Sequence, residues 1–538
     1  MYKLSVEATG FRGEAVFDLE LTVGATVARD VRLELGSPTE QIEVQAAAER
    51  VQVTDAQIAR AVTLRDIEVL PQLVRAPIML SIFSAGVQVD TSFMASSRVN
   101  GTRHGSTNSR LDGIDVNDSA TPFMLLSNNA NNTDSIEEFR IVTSGGKAQY
   151  GRSAGGQIEL ITRSGTNAWH GNAFEYHRNT ALNADSFFGN SQDVEQPKYI
   201  QNTFGVSLGG PIRRDRTFIF GNFQGQRSVE EEVRNRQVLT PEAKKRLFRW
   251  KPPGSSEIQT FDIVANDPRR IGIDPQVAAM LKLLPDPNNN DKGGGLNTAG
   301  YRFNNPNTSA GDGNGNQFTI KADHTLLRGH HLFFRWAWAR SSLIDSLVGN
   351  DARFPGQPPG IQRGGNWGYS IGSDWAITPR LVNEMRVGYK FYTWEWYRAA
   401  RRPGPMLLAN SWTDSLNPYF SFSREPPVRQ LTDNFTIDRG RHTFKGGFEL
   451  RITREWRSLY GGKDVGTWPN VTFAVSTNNT VPTTIGPYGD AAISREDRTT
   501  FEKLYNDLLG RMDKVTQNFY SDLKSYYPEG TPSTARAP

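Results

Sequence analysis

The sequence predicts a mainly β protein: a partial N-terminal β-sandwich, a small α+β plug-sized unit, then the first half of an antiparallel transmembrane β-barrel. Three observations predict it. Only 37% of the 538 residues are hydrophobic, while glycine reaches 50 and mean hydropathy is −0.52, a balance that suits strands with long polar loops better than a helical enzyme. Apolar residues alternate with polar or charged ones through segment after segment. The connections between those segments are short and long by turns, as when tight turns line one rim of a barrel and long loops the other.

Residues 1–46 alternate in short strands. Leu4 and Val6, then Phe17, Leu19 and Leu21, then Val27, Val31, Leu33 and Leu35, then Ile42 and Val44 fall on period two, with Gly10, Gly13, Gly24 and Gly36-Ser37-Pro38 between them. Residues 47–168 read as a small α+β unit. A helical pattern over 63–70 stops at Pro71, and a Gly/Asn/Asp-rich stretch fills 100–133. Two apolar runs, 139–142 and 158–161, then flank a glycine-rich turn.

Residues 169–456 hold about nine strand candidates of barrel length: 169–178, 201–212, 217–227, 317–326, 330–340, 366–377, 381–394, 429–438 and 442–456. Phe204, Val206 and Leu208 share a face. Leu332, Phe334, Trp336 and Trp338 oppose Arg335. Met385, Val387, Tyr389 and Phe391 oppose Glu384, Arg386 and Lys390. Phe444, Phe448, Leu450 and Ile452 oppose Lys445, Glu449 and Arg451. An apolar face suits lipid and a charged face a wet or filled lumen. Trp169, Trp336, Trp338, Trp367, Trp375, Trp394 and Trp396 are assigned to the apolar side near strand ends, where membrane interfaces favour them. Residues 457–538 form a long outer loop. Within it Phe501, Leu504, Leu508, Met512, Val515 and Phe519 recur at helical spacing, predicting an amphipathic helix inside 495–523.

Other classes find little support. Without cysteine there is no disulfide scaffold, thiolate zinc site, iron–sulfur cluster or thiol nucleophile. A net charge of +4 from 61 basic and 57 acidic residues does not point to nucleic acid. No apolar run reaches the ~18 residues of a membrane helix, although barrel strands escape that scan. The segment 146–153 approaches the phosphate-binding loop, but Arg152 stands where that motif needs lysine and 157–162 reads as a strand. Asp112, Asp115 and Asp118 cluster with Asn117 without the spacing of a calcium loop and read as exposed carboxylates of a turn. His324, His330 and His331 lie near one turn, with the adjacent pair on opposite faces, so no metal is expected. No acid/base pair or nucleophile elbow stands out. No enzyme activity and no cofactor is expected. The loops at 179–200, 228–314, 342–365 and 395–428 read mostly as solvated spacers facing outside.

Certain motifs carry a resemblance. The run 135–143 leads to Ala148-Gln149-Tyr150-Gly151-Arg152-Ser153-Ala154-Gly155-Gly156-Gln157-Ile158 and ends Thr162-Arg163-Ser164-Gly165-Thr166-Asn167. It resembles the end of the plug domain in TonB-dependent outer-membrane transporters. Val99-Asn100-Gly101-Thr102-Arg103 and Leu111-Asp112-Gly113-Ile114-Asp115 resemble further plug motifs. The segments 169–176 and 202–212 resemble the first two barrel strands. The Oar-like subgroup, with an N-terminal carboxypeptidase-regulatory-like sandwich, is the best match. The resemblance implies a plug domain at 47–168 inside a barrel beginning at 169, seated in outer-membrane lipid. It implies an energy-transducing partner of the TonB type and an unidentified ligand: an iron chelate, oligosaccharide, peptide or protein. It implies structural and gating roles for Asn100, Gly101, Arg103, Asp112, Gly113, Asp115, Tyr150, Gly151, Gly155 and Gly156, with Arg103, Asp112 and Asp115 in the plug interior. A family barrel has about 22 strands. No signal peptide, TonB-contact segment or terminal aromatic strand is read here, so the expectation is a fragment lacking both ends. The other readings are an outer-membrane adhesin of the same architecture and a soluble carbohydrate-binding β protein.

Overall fold

The computed structural model describes residues 2–19, 31–36, 41–45, 56–63, 77–90, 96–103, 105–117, 132–151, 153–307, 314–344, 351–357, 359–398, 405–415, 422–459, 469–473, 481 and 493–517. Leu21, Val27, most of the expected helix at 63–70, Asp118, Arg152 and Phe519 lie outside these residues.

Near the N-terminus β1 (Tyr2–Val6), β2 (Gly13–Leu19) and β3 (Gln41–Gln45) form one sheet, antiparallel then parallel. Leu35 makes only an isolated bridge to Phe11. Next come β4 (Ile58–Thr63), the hairpin of β5 (Val87–Asp90) and β6 (Ser96–Val99), β7 (Asn108–Leu111), β8 (Ile114–Asp115), β9 (Ile136–Ser144) and β10 (Gln157–Thr162). Thr63 therefore ends a strand rather than opening a helix. A small five-stranded sheet runs β4-β9-β10-β7-β8. Its core is Phe139, Ile141, Ile158, Leu160, Leu111 and Val62 with their neighbours. The glycine-rich segment thus leads into a strand, β10, not into the helix that a phosphate-binding loop requires.

The wall begins with β11 (His170–Asn179). After helix α1 (Phe187–Ser191) come β12 (Tyr199–Arg213) and β13 (Thr217–Leu239), then α2 (Pro241–Lys244), β14 (Leu247–Trp250), β15 (Gln259–Asp262), α3 (Pro275–Leu281) and β16 (Thr298–Asn307). The wall continues through β17 (Asn314–Leu327), β18 (His330–Ile344), β19 (Gly360–Thr378) and β20 (Leu381–Arg398). Beyond it lie β21 (Met406–Leu408), β22 (Phe422–Glu425), β23 (Val428–Arg439), β24 (His442–Thr453), β25 (Trp456–Leu459) and β26 (Asn470–Thr472). Helix α4 (Arg495–Leu509) and β27 (Lys514–Thr516) follow. Nine strands run through the wall in the order β11, β12, β13, β17, β18, β19, β20, β23 and β24. Each neighbouring pair is antiparallel. The tight turns use left-handed residues, with Asp215 at φ 59°, Gly329 at 79° and Gly440 at 64°.

The strands extend further than their apolar alternation suggests. Thr217–Gln226 of β13 pair with β17, and Glu230–Leu239 pair with β16 instead. A membrane strand needs about 9–11 residues, and the 23 residues of β13 therefore carry it well past the lipid. Pro426-Pro427 separates β22 from β23, since proline cannot donate to the ladder.

The loops at 228–314, 342–365 and 395–428 are not mere spacers: together with the segment after 457 they build one hydrophobic core that includes Phe248, Val277, Phe354, Trp412, Phe473 and Phe501, whereas 179–200 stays mostly exposed. Helix α4 is capped by Ser494 at its start and ends at Gly510 with φ 66°, so it stops short of the expected 523. Met512 and Val515 are exposed. Buried carboxylates tie this outer cap together. Asp507 accepts from the Asn410 and Ser411 amides at 3.0 and 2.7 Å. Asp267 accepts from the Tyr505 hydroxyl at 2.8 Å and pairs with Arg511 at 2.7 Å. Asp351 pairs with both Arg234 and Arg236 at 2.8 Å.

Candidate functional site

The turn between β7 and β8 is where the small sheet meets the wall. A two-residue connection demands left-handed backbone, and Asp112 and Gly113 supply it with φ 49° and 81°. A Cβ on Gly113 would fall 2.9 Å from Arg386 Cγ, so this glycine also lets the wall approach. Both aspartates are buried, contrary to the expectation of exposed carboxylates.

Six wall strands hold this turn. From β17, Lys321 Nζ donates to the Thr162 carbonyl at 2.8 Å and lies 3.9 Å from Asp112. From β18, Arg335 pairs with Asp112 at 2.9 Å, both side chains almost fully buried. From β19, the Ser370 hydroxyl donates to the Asp112 carbonyl at 3.1 Å. From β20, Lys390 donates to the carbonyls of Val116 and Asn117, both at 2.8 Å. From β23, Gln430 accepts from the Asp115 amide at 2.8 Å and donates to the Gly113 carbonyl at 3.2 Å. From β24, Arg451 pairs with Asp115 and Glu449 pairs with Arg110 at 2.8 Å. Within the small sheet, Asp112 also accepts from the Thr162 amide and hydroxyl at 3.0 and 2.6 Å. The interface is thus polar, made of ion pairs and hydrogen bonds that water can replace, and it joins the small sheet to the wall without a continuous apolar core.

A buried charge sits behind the turn. Glu159 on β10 lies opposite Arg140 of β9 and Arg110 of β7. Burial pushes its carboxyl up to about 7 against the pull of Arg110, Arg140 and Arg386.

The other expected residues do not converge on this turn. Asn100 and Gly101 form a left-handed turn with φ 51° and 74°, and the Asn100 amide donates to the Thr143 carbonyl at 2.9 Å. Arg103 is exposed beside that turn, which corrects its expected interior position. Tyr150 and Gly151 lie on an outer turn of the small sheet, half-buried and exposed. Gly155 donates to the Ser106 carbonyl at 3.0 Å. A Cβ on Gly156 would fall 2.7 Å from Val99 Cγ2. Arg335, Lys390, Glu449 and Arg451 were visible only as charged faces of their strands, Lys321, Ser370 and Gln430 were not singled out, and nothing in the sequence tied any of them to Asp112 and Asp115. Among the described residues, no three His, Cys, Asp or Glu side chains come together as metal ligands.

Two of the seven tryptophans placed on the lipid side face inward. Trp394 and Trp396 are buried at the same parity as Lys390, whereas Trp367 and Trp375 are exposed.

An antiparallel wall, open among the described residues, with a polar face that holds a small sheet and an apolar opposite face, has the layout of part of a membrane β-barrel. The chain belongs to the outer membrane beta barrel domain family, whose model matches residues 161–527, and its place is the outer membrane. A stretch of 134 residues is 28% identical to the TonB-dependent transporter Oar of Myxococcus xanthus, covering 23% of this chain and 12% of that protein. Among solved structures, the chain is similar to the outer membrane transporter YddB of Escherichia coli, with 11% identity and a TM-score of 0.47 over 78% of this chain and 50% of that one. It is also similar to the ferric enterobactin receptor PfeA of Pseudomonas aeruginosa, with 12% identity and a TM-score of 0.43 over 73% and 49%. The chain spans about half the length of these solved proteins.

Proposed function

We propose that the chain is part of an energy-coupled transporter of the outer membrane, Oar-like in type, in which residues 47–168 act as the plug of the barrel. The observation that carries the reading is the polar clamp on the Asp112 turn. A plug that must yield needs a wall contact strong enough to close the lumen and hydrated enough to release. The Oar-like segment and the family membership support the same reading. In it, a TonB-type partner works on the plug from the periplasmic side. Asp112, Gly113 and Asp115 are the latch, and Asn100, Gly101, Tyr150, Gly151, Gly155 and Gly156 keep the plug turns in shape. Arg103 lies apart from the latch, on a surface open to a partner.

The test compares cells with and without the complete gene that carries these residues. Mass spectrometry of the medium follows which solutes are depleted. Depletion that requires the gene and stops with an uncoupler supports the proposal. The folded outer cap favours a second reading, a surface-binding barrel. That reading predicts cell-bound material that an uncoupler leaves unchanged.

A further inference from the structure

Above the latch the inner face of β20 changes character. Alternate residues from Lys390 upward point inward: Tyr392, Trp394 and Trp396, each at most 5% exposed. The rings of Tyr392 and Trp394 are 6.2 Å apart and nearly parallel at 21°, and Trp396 follows at 5.9 Å, turned to 65°. Facing this ladder on β19 is Asn366, paired in register with Tyr392. Its neighbours on that face are Gly364 and Gly368, and the Trp394 ring lies over Gly364. The ladder therefore runs beside a face on which Gly364 and Gly368 flank the Asn366 amide, with the buried Gln362 amide opposite Trp396 at its upper end.

That amide is unsatisfied. Asn366 is 2% exposed, and among the described residues neither its Nδ2 nor its Oδ1 finds a hydrogen-bond partner; the Trp394 indole N–H beside it is also unpartnered. A buried donor and acceptor left open are costly and call for an explanation. Deepening the transporter reading on which it rests, we infer that the Tyr392–Trp394–Trp396 ladder with Asn366 is a binding lane for a neutral oligosaccharide inside the barrel.

The chemistry selects this class. Flat aromatic faces bind apolar ring faces, and an amide that donates and accepts suits hydroxyl groups. Successive platforms about 6 Å apart suit a ligand that repeats ring after ring. An anionic iron chelate needs open cations, and the lumen cations near the ladder are engaged. Lys390 holds plug carbonyls, Arg335 holds Asp112, Arg451 holds Asp115, and Arg424 lies over the Trp396 ring at 5.4 Å. The ladder continues upward from Lys390, and entry to the proposed lane comes with release of the plug carbonyls that Lys390 holds.

The test is calorimetric titration of the folded chain in detergent with maltohexaose, cellohexaose and xylohexaose, with ferric citrate and a neutral Gly/Ser hexapeptide as the competing classes. It is run on the chain itself and on Lys390→Met, which frees the plug carbonyls. At least one hexasaccharide should bind with Kd below about 1 mM. Asn366→Leu and Trp394→Ala should each weaken it about tenfold or more. Asn366→Leu removes an open polar group, so its melting temperature should hold or rise while binding falls, which separates lost recognition from lost folding. Binding of no hexasaccharide to either form, binding unchanged in both variants, or binding only of ferric citrate or the peptide would overturn the inference. None of these outcomes depends on energy coupling, so uncoupler-sensitive depletion of another solute class would leave the transporter reading standing.

Discussion

Replacing Asp112 with asparagine isolates one charge in the latch. Asparagine tolerates the left-handed φ of 49° at this position and keeps an oxygen for the Thr162 amide, so backbone strain is not the perturbation. What changes is Arg335, whose side chain is 4% exposed and whose ion-pair partner is Asp112 at 2.9 Å. Leaving a buried charge without its partner costs about 3–5 kcal/mol. At about 1.4 kcal/mol per factor of ten, opening of the small sheet at this edge becomes about a hundred to several thousand times more frequent. Hydrogen exchange at the Thr162 amide, which donates to Asp112, reads that opening directly. The double variant Asp112→Asn with Arg335→Met should recover most of the loss, because removing both charges leaves none stranded. An exchange rate that rises less than about tenfold in the single variant, or losses that simply add in the double variant, would refute the latch assignment.

Three further outcomes follow from the same geometry. Glu159 is raised from 4.5 to about 7 in the folded sheet, so the folded state binds its proton more tightly than the unfolded chain. Stability is then full below pH 4.5 and falls by about 3 kcal/mol as pH rises through 7. Urea midpoints across that range should decline in the native chain and flatten in Glu159→Gln, and a midpoint that rises with pH contradicts the assignment. Asp507→Ala strands the buried Ser411 amide at a cost of about 1–3 kcal/mol and frees the part-buried Asn410 amide, and tryptic cleavage after Arg511 should quicken; an unchanged rate would mean that the cap is held elsewhere. Gly156→Ala drives a methyl to 2.7 Å from Val99 and should lose about 1–3 kcal/mol, whereas Gly151→Ala meets open space and should leave the melting temperature in place.

The through-strands of the wall were legible because lipid on one face and polar groups on the other impose period two. The outer half of β13 was not, because Glu230, Glu231 and Glu232 stand above the lipid, where no apolar face is required. The cap escaped for a different reason. Phe248, Phe354, Trp412 and Phe501 come from four separate loops, and no single window contains a recognisable face. Helix α4 was legible from its 3.6-residue spacing, but its end depended on Gly510 in the left-handed conformation, which the spacing of Met512 and Val515 concealed. Trp394 and Trp396 were assigned by residue type to the interfacial belt. Counting by twos from Lys390 places them inside, so parity held the right answer. The latch lay half in view: Asp112, Gly113 and Asp115 could be singled out, but strands more than 150 positions downstream supply their partners.

In the proposed transporter, the Asp112 turn must leave the wall for the barrel to conduct. A Cβ on Gly388 would fall 2.5 Å from Ile114 Cγ1, which suits a cross-link from turn to wall. These 538 residues contain no cysteine, so Ile114→Cys with Gly388→Cys introduces a single possible disulfide among them. The decisive measurement is energy-dependent solute depletion by cells carrying this pair in the complete gene, before and after reduction. Depletion should be abolished while the disulfide is closed and restored by reductant, with the barrel in the outer membrane throughout. Depletion that continues with the disulfide closed would contradict it.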